Sequence, residues 1–150
     1  MELALISELR ARIRIPMTVP MATVATATFS ILGAQVIVDR ERAYTVAGGR
    51  FRPTTSVNFE DADVTLSIAG DVALHLALPP GCVKRIWSGI YSAVISCAVW
   101  KAEVLFHSLS GGDWIFAAAI DGFAPESASV TVTLTIGNEN GEALVSPYAI

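Results

Sequence analysis

Along Ser127–Ile136 (S-A-S-V-T-V-T-L-T-I) the apolar residues Val130, Val132, Leu134 and Ile136 alternate with Thr131, Thr133 and Thr135. A strict two-residue period puts one set on each face of an extended chain, and this predicts a half-buried β-strand. Looser versions of the pattern predict strands at Ala22–Leu32, Gln35–Asp39, Ala43–Val46, Val64–Ala69, Val72–Leu78, Trp114–Ile120 and Ala143–Ser146. Turn formers separate them at Gly33, Gly48-Gly49, Gly70-Asp71, Pro79-Pro80-Gly81, Gly111-Gly112-Asp113, Asp121-Gly122 and the run Gly137–Gly141. Many short strands with Gly-rich turns predict an all-β domain, a β-sandwich or jelly-roll-like fold, over residues 22–150.

Val83–Phe106 fits two patterns. Val83, Ile86, Trp87, Ile90, Tyr91, Val94, Ile95 and Ala98 trace a helical stripe, but its four-residue repeat drifts around a 3.6-residue helix. Read as strands, Trp87, Gly89, Tyr91, Ala93, Ile95, Cys97 and Val99 share one face, and Trp100, Ala102, Val104 and Phe106 then alternate with Lys101 and Glu103. The β-branched and aromatic content favours strands.

The first 21 residues differ in character. Leu5, Leu9 and Ile13 recur every four positions with Ile6 alongside, which predicts a short amphipathic helix over residues 2–13. Glu2 at its start and Arg10, Arg12 and Arg14 at its end complement the helix dipole. Twelve residues make a marginal helix alone, so this one needs a surface to pack on. Pro16 stops it, and Ile15–Met21 reads as an extended, proline-stiffened connector. Such an arm either reaches a neighbouring molecule or folds back on its own domain.

Composition sharpens the picture. Only 16% of the 150 residues are charged, against about 25% in ordinary soluble domains, while 53% are hydrophobic. Apolar side chains on this scale exceed what one small core hides, so a homo-oligomer, taken as a trimer, or a larger assembly is expected to cover the remainder. The net charge of −4 offers no general basic field for nucleic acid. Beyond residue 14 there are seven cations against twelve anions, so the basic arm and the acidic body have opposite sign. Ile15–Val38 is uncharged for 24 residues, but its two prolines, Gln35 and four threonines suit an extended segment better than a membrane-spanning helix. The acidic start, M-E-L-A-L-I-S-E, lacks the basic leader of a signal peptide, and synthesis inside the cell is expected. Cys82 and Cys97, set in apolar surroundings, read as two buried free thiols.

No catalytic, cofactor or metal constellation accompanies the strands. The acids Glu60, Asp61, Asp63 and Asp71 lack the spacing of a calcium loop and read as solvated. His75 and His107 with two cysteines form no zinc pairing pattern. Ser108 and Ser110 lack a G-x-S-x-G frame. An enzyme would need a pocket joining His75 or His107 to a serine or carboxylate, and the expectation is a protein without enzymatic activity. The clearest contact patch in the body is Arg50-Phe51-Arg52 with Arg40 and Arg42 upstream, because arginine and aromatics concentrate at interface hot spots. Trp87, Tyr91, Trp100 and Trp114 read chiefly as core; exposed in a groove, they would instead stack on sugar rings.

A short arm followed by a compact β-domain poor in charge and rich in Ala, Thr, Val and Gly is similar to small accessory proteins of tailed-phage virions. The resemblance implies a capsid cement or decoration protein, made in the host cytoplasm and built into the virion, which bridges subunits of the capsid shell without binding nucleic acid or membrane. On that reading Leu5, Ile6, Leu9, Arg10, Arg12, Ile13 and Arg14 grip a neighbour, and Arg40, Arg42, Arg50, Phe51 and Arg52 make further contacts. The competing reading is a carbohydrate- or receptor-binding β-sandwich, as at a fibre tip.

Overall fold

A computed structural model describes residues 27–150. The predicted helix over residues 2–13, the connector Ile15–Met21 and the domain boundary at residue 22 lie outside the described residues. What is described is all-β. Eleven strands run in chain order: β1 (Ile31–Asp39), β2 (Tyr44–Phe51), β3 (Val64–Ala69), β4 (Ala73–Leu78), β5 (Lys84–Trp87), β6 (Ile90–Ser96), β7 (Lys101–Ser108), β8 (Trp114–Asp121), β9 (Val130–Ile136), β10 (Glu139–Val145) and β11 (Tyr148–Ala149). They form a seven-stranded sheet of order β11-β1-β2-β8-β7-β6-β5 and a four-stranded sheet of order β10-β9-β3-β4. All pairings are antiparallel except the short β1–β11 contact. No helix among the described residues is long and apolar enough to cross a membrane.

The two sheets bury their inner faces in one shared core, a sandwich-like arrangement. The four-stranded sheet contributes Val64, Leu66 and Ile68, Leu74, Leu76 and Leu78, and the alternating set Val130, Val132, Leu134 and Ile136. The seven-stranded sheet contributes Val36, Val38, Ala47, Phe51, Val104, Phe106, Phe116, Ala118 and Ile120. Phe59, from the long connection between β2 and β3, is fully buried. Its ring stacks on Phe106 at 4.3 Å, meets Trp114 edge-on at 4.7 Å and lies 5.6 Å from Tyr91. A non-strand residue thus fills the inner face of the wider sheet where its narrower partner stops short.

Several predicted boundaries shift, each for a local reason. Gly33 is not a turn between two strands but part of a bulge within β1, where the register slips between Leu32 and Gln35 and Gly33 has φ +60°. Gly48-Gly49, predicted as a turn, sits in the middle of β2. A Cβ on Gly49 would lie 2.7 Å from Ile31 and one on Gly48 2.9 Å from the Phe116 carbonyl, so close approach, not chain reversal, requires glycine here. The turn run Gly137–Gly141 contracts to Gly137-Asn138, and β10 begins at Glu139, earlier than the predicted Ala143. Val83–Phe106 is strands, as the pattern favoured, but not one continuous face. Turns at Ser88-Gly89 and before Lys101 break it into three strands, leaving Trp87 73% exposed while Tyr91, Ala93 and Ile95 pack inward. Trp87 is therefore not core. Nor are the cysteines the buried pair expected: both are free, Cys82 is half-buried and Cys97 exposed.

The packing makes Phe59 the residue that joins the two-sheet core to the β2–β3 connection. We expect Phe59→Ala to cost about 3–5 kcal/mol, read as a fall in the urea midpoint. A loss under about 1 kcal/mol, the scale of a surface change, would contradict this assignment.

Candidate functional site

The two sheets treat their outer faces in opposite ways. Outside the four-stranded sheet, the β3–β9 register sets Thr65 beside Thr135 and Ser67 beside Thr133, with Thr131 completing the row along β9. On β4 the outward residues are Ala73, His75 and Ala77. This is the ordinary solvated face of a half-buried antiparallel sheet. His75 Nδ1 lies 3.0 Å from Ser67 Oγ. A serine and a histidine are thus brought together, but on an open polar face, with no carboxylate hydrogen-bonded to the ring among the described residues. The arrangement is a cross-strand hydrogen bond between directly paired residues of β3 and β4.

Outside the seven-stranded sheet the pattern reverses. The pairings set Ile37, Val46, Ala119, Glu103 and Val94 in one row across β1, β2, β8, β7 and β6. The next row reads Gln35, Gly48, Ala117, Leu105 and Ser92, and the third Leu32, Arg50, Ile115, His107 and Ile90. Apolar side chains dominate a face that no element among the described residues covers. Leu32 is 60% exposed and Ile115 and Val94 are exposed too. Over Gly48 and Ala117, where side chains are smallest, the face sinks into an open groove of about 640 Å³ walled by Leu32, Ile37, Val46 and Ile115. This apolar, grooved face is what distinguishes the outer side of the seven-stranded sheet from that of the four-stranded one.

An ion-pair cluster closes one end of the groove. Asp113 accepts from Arg50 Nε at 2.9 Å and from Arg52 Nε at 2.6 Å. Arg52 and Arg50 hold the Asp113 carboxyl below its usual range. One carboxylate thus serves two guanidiniums, leaving the rim a net positive charge. The predicted five-residue contact patch comes apart here. Phe51 points inward and is 1% exposed, its ring 5.3 Å from Phe29. Arg40 and Arg42 sit at the opposite end of β2, where Arg42 pairs with Asp39 and lies over the Tyr44 ring. Of the five, Arg50 lines the groove and Arg52 is tied to its end through Asp113. The arm residues Leu5, Ile6, Leu9, Arg10, Arg12, Ile13 and Arg14 lie outside the described residues.

The aromatics do not form a sugar platform. Tyr91 and Trp114 pack with Phe59, and Trp100 is half-buried against the core. The exposed Trp87 and Tyr148 lie on β5 and β11, the opposite edges of the seven-stranded sheet. The acidic residues are structural. Asp71 accepts from the N–H groups of Glu126 and Ser127 at 2.8 and 2.9 Å, and Asn58 donates to Asp61. No group of three or more His, Cys, Asp or Glu among the described residues is placed to hold a metal ion.

A buried carboxylate, Glu139, fixes the loop that carries Phe59. Glu139 Oε1 accepts from the Thr54 N–H at 2.7 Å, and Oε2 from Thr55 N–H at 3.2 Å and Thr55 Oγ1 at 2.7 Å. Burial pushes the Glu139 carboxyl up, but these donors outweigh it and hold it below the usual range. Composition could not reveal Glu139, because its two partner residues, Thr54 and Thr55, are more than eighty residues away in sequence.

Comparisons of the chain with protein-family models, with curated proteins and with solved structures find no match.

A folded-state pKa below the unfolded value means that the unfolded chain binds more protons as pH falls. The stabilisation from Glu139 is therefore complete above the ordinary glutamate pKa, about 4.3, and is lost as pH drops through its lower folded value. We expect Glu139→Gln to cost about 1–3 kcal/mol at neutral pH. The gap from the parent chain should narrow in acid, as read by urea titrations from pH 7 to pH 3. A gap independent of pH would remove the carboxylate from this role.

Proposed function

We propose that this chain is a structural assembly protein of the capsid cement or decoration type, non-catalytic, which bridges neighbouring subunits through the outer face of its seven-stranded sheet. The single observation that carries the reading is the apolar, grooved character of that face beside the polar character of the other. In water an apolar patch is stable only when something covers it, and an assembly supplies the cover. Burial there contributes about 25 cal/mol per Å² of apolar surface. A partner that binds only the assembled state stabilises it further by mass action. The low charge of the whole chain and its basic arm on an acidic body support self-association, and the resemblance in layout to tailed-phage accessory proteins supports a shell as the larger partner. The dispersal of Trp87 and Tyr148 to opposite sheet edges favours assembly over the carbohydrate-binding alternative. In this reading the protein is a homo-oligomer that joins the virion and uses no cofactor.

Ala117→Lys plants a charge on the groove floor without touching the core. The parent protein should run as an oligomer by light scattering, and the variant should shift towards monomer with its urea midpoint nearly unchanged. A parent chain that is monomeric and binds no hydrophobic dye would overturn the proposal.

A further inference from the structure

The described chain starts on the side of β1 that faces the four-stranded sheet, not on the outer face that carries the groove. Thr28 and Phe29 donate their N–H groups to the Asn140 carbonyl at 2.7 and 3.1 Å, beside β10 of the four-stranded sheet. Thr28 Oγ1 also accepts from the Asn140 N–H at 2.8 Å, and Phe29 turns inward on Phe51. The chain therefore reaches β1 from the four-stranded side, whereas the groove opens on the outer face of the seven-stranded sheet. Between Pro20 and Gly33 the sequence contains no Gly, Pro, Asn or Asp. It thus offers none of the strongest turn formers for doubling back around β1. Pro16 and Pro20 stiffen the preceding stretch. Extended, residues 14–26 span up to about 40 Å, several times the roughly 10 Å between packed sheets.

Area points the same way. Five strands at about 4.8 Å spacing and three rows at about 6.8 Å make an outer face of roughly 400–500 Å². A stable interface needs about 800 Å² per partner, so two such faces pressed together fall short. An added amphipathic segment supplies the difference. In the helix that the sequence predicts for residues 2–13, Leu5, Leu9 and Ile13 would fall at one-turn spacing, side chains large enough to fill a floor made of Gly48 and Ala117.

We propose that the groove over Gly48 and Ala117 is the receptor for residues 2–13 of a second copy of this chain, so that copies are linked by exchange of arms. The inference rests on the assembly reading above and adds its occupant and direction. Each copy donates one arm and receives another, a head-to-tail contact that closes into a ring when the rotation between copies permits.

The test uses the full chain with Cys82→Ser and Cys97→Ser. One preparation carries Leu9→Cys, the other Ala117→Cys, and the two are mixed and oxidised. A covalent dimer containing one chain of each kind is expected, and none when Thr133→Cys on the opposite face replaces Ala117→Cys. If the mixture gives no dimer while the double variant Leu9→Cys/Ala117→Cys cross-links internally, the arm covers its own groove and the proposal is overturned. No cross-link in either overturns it too. As a non-covalent check, Leu5→Asp/Leu9→Asp should weaken self-association at least tenfold. Association unchanged by that pair but abolished by Ala117→Lys would sink arm exchange and leave the assembly reading standing. A monomeric parent chain would sink both.

Discussion

Each strand sends alternate side chains to opposite faces, and among the described residues each sheet has a partner for only one of them. Everything else follows from how the second face is treated. The four-stranded sheet meets the constraint by placing threonine, serine and histidine on its outer side, so water satisfies it. The wider sheet does not: Ile37, Val46, Ala117, Leu105 and Ile115 repeat apolar chemistry on the side away from the core.

Polar contacts position the site rather than drive the folding. Glu139 ties Thr54 and Thr55 to the start of β10, which holds the connection that inserts Phe59 under the wider sheet. Asp113 draws Arg50 and Arg52 together at the mouth of the groove, fixing two long side chains that would otherwise sweep across it. Asp71 closes the β3–β4 turn against Glu126 and Ser127 in the same way. Each carboxylate is held below its ordinary range by donors gathered from distant parts of the chain. These pairs tie distant segments of the chain together, while the energy of folding comes from the shared apolar core.

The face has a trace in the sequence that alternation arguments pass over. Strands of the narrow sheet read V-T-V-T-L-T-I or A-L-H-L-A-L, one parity apolar and the other not. Strands of the wide sheet read W-I-F-A-A-A-I-D or I-L-G-A-Q-V-I-V-D, apolar at both parities. Doubly apolar strands ordinarily mean a sheet covered on both sides. Among the described residues no second cover is present, and the assembly proposal rests on that mismatch.

Periodicity alone determined that the chain is β-rich, that Val64–Ala69 and Val130–Ile136 are strands, and that the odd positions of Ala73–Leu78 face outward. Those features depend on neighbours two residues apart. The sequence could not tell that Gly48-Gly49 is strand interior, that Phe51 is core while Arg50 and Arg52 are rim, or that Glu139 meets Thr54 and Thr55. Each is decided by which strand lies alongside, a contact between segments tens of residues apart. The groove belongs to this second class, because its floor and walls come from β1, β2 and β8 and exist only once long-range pairing has set their register.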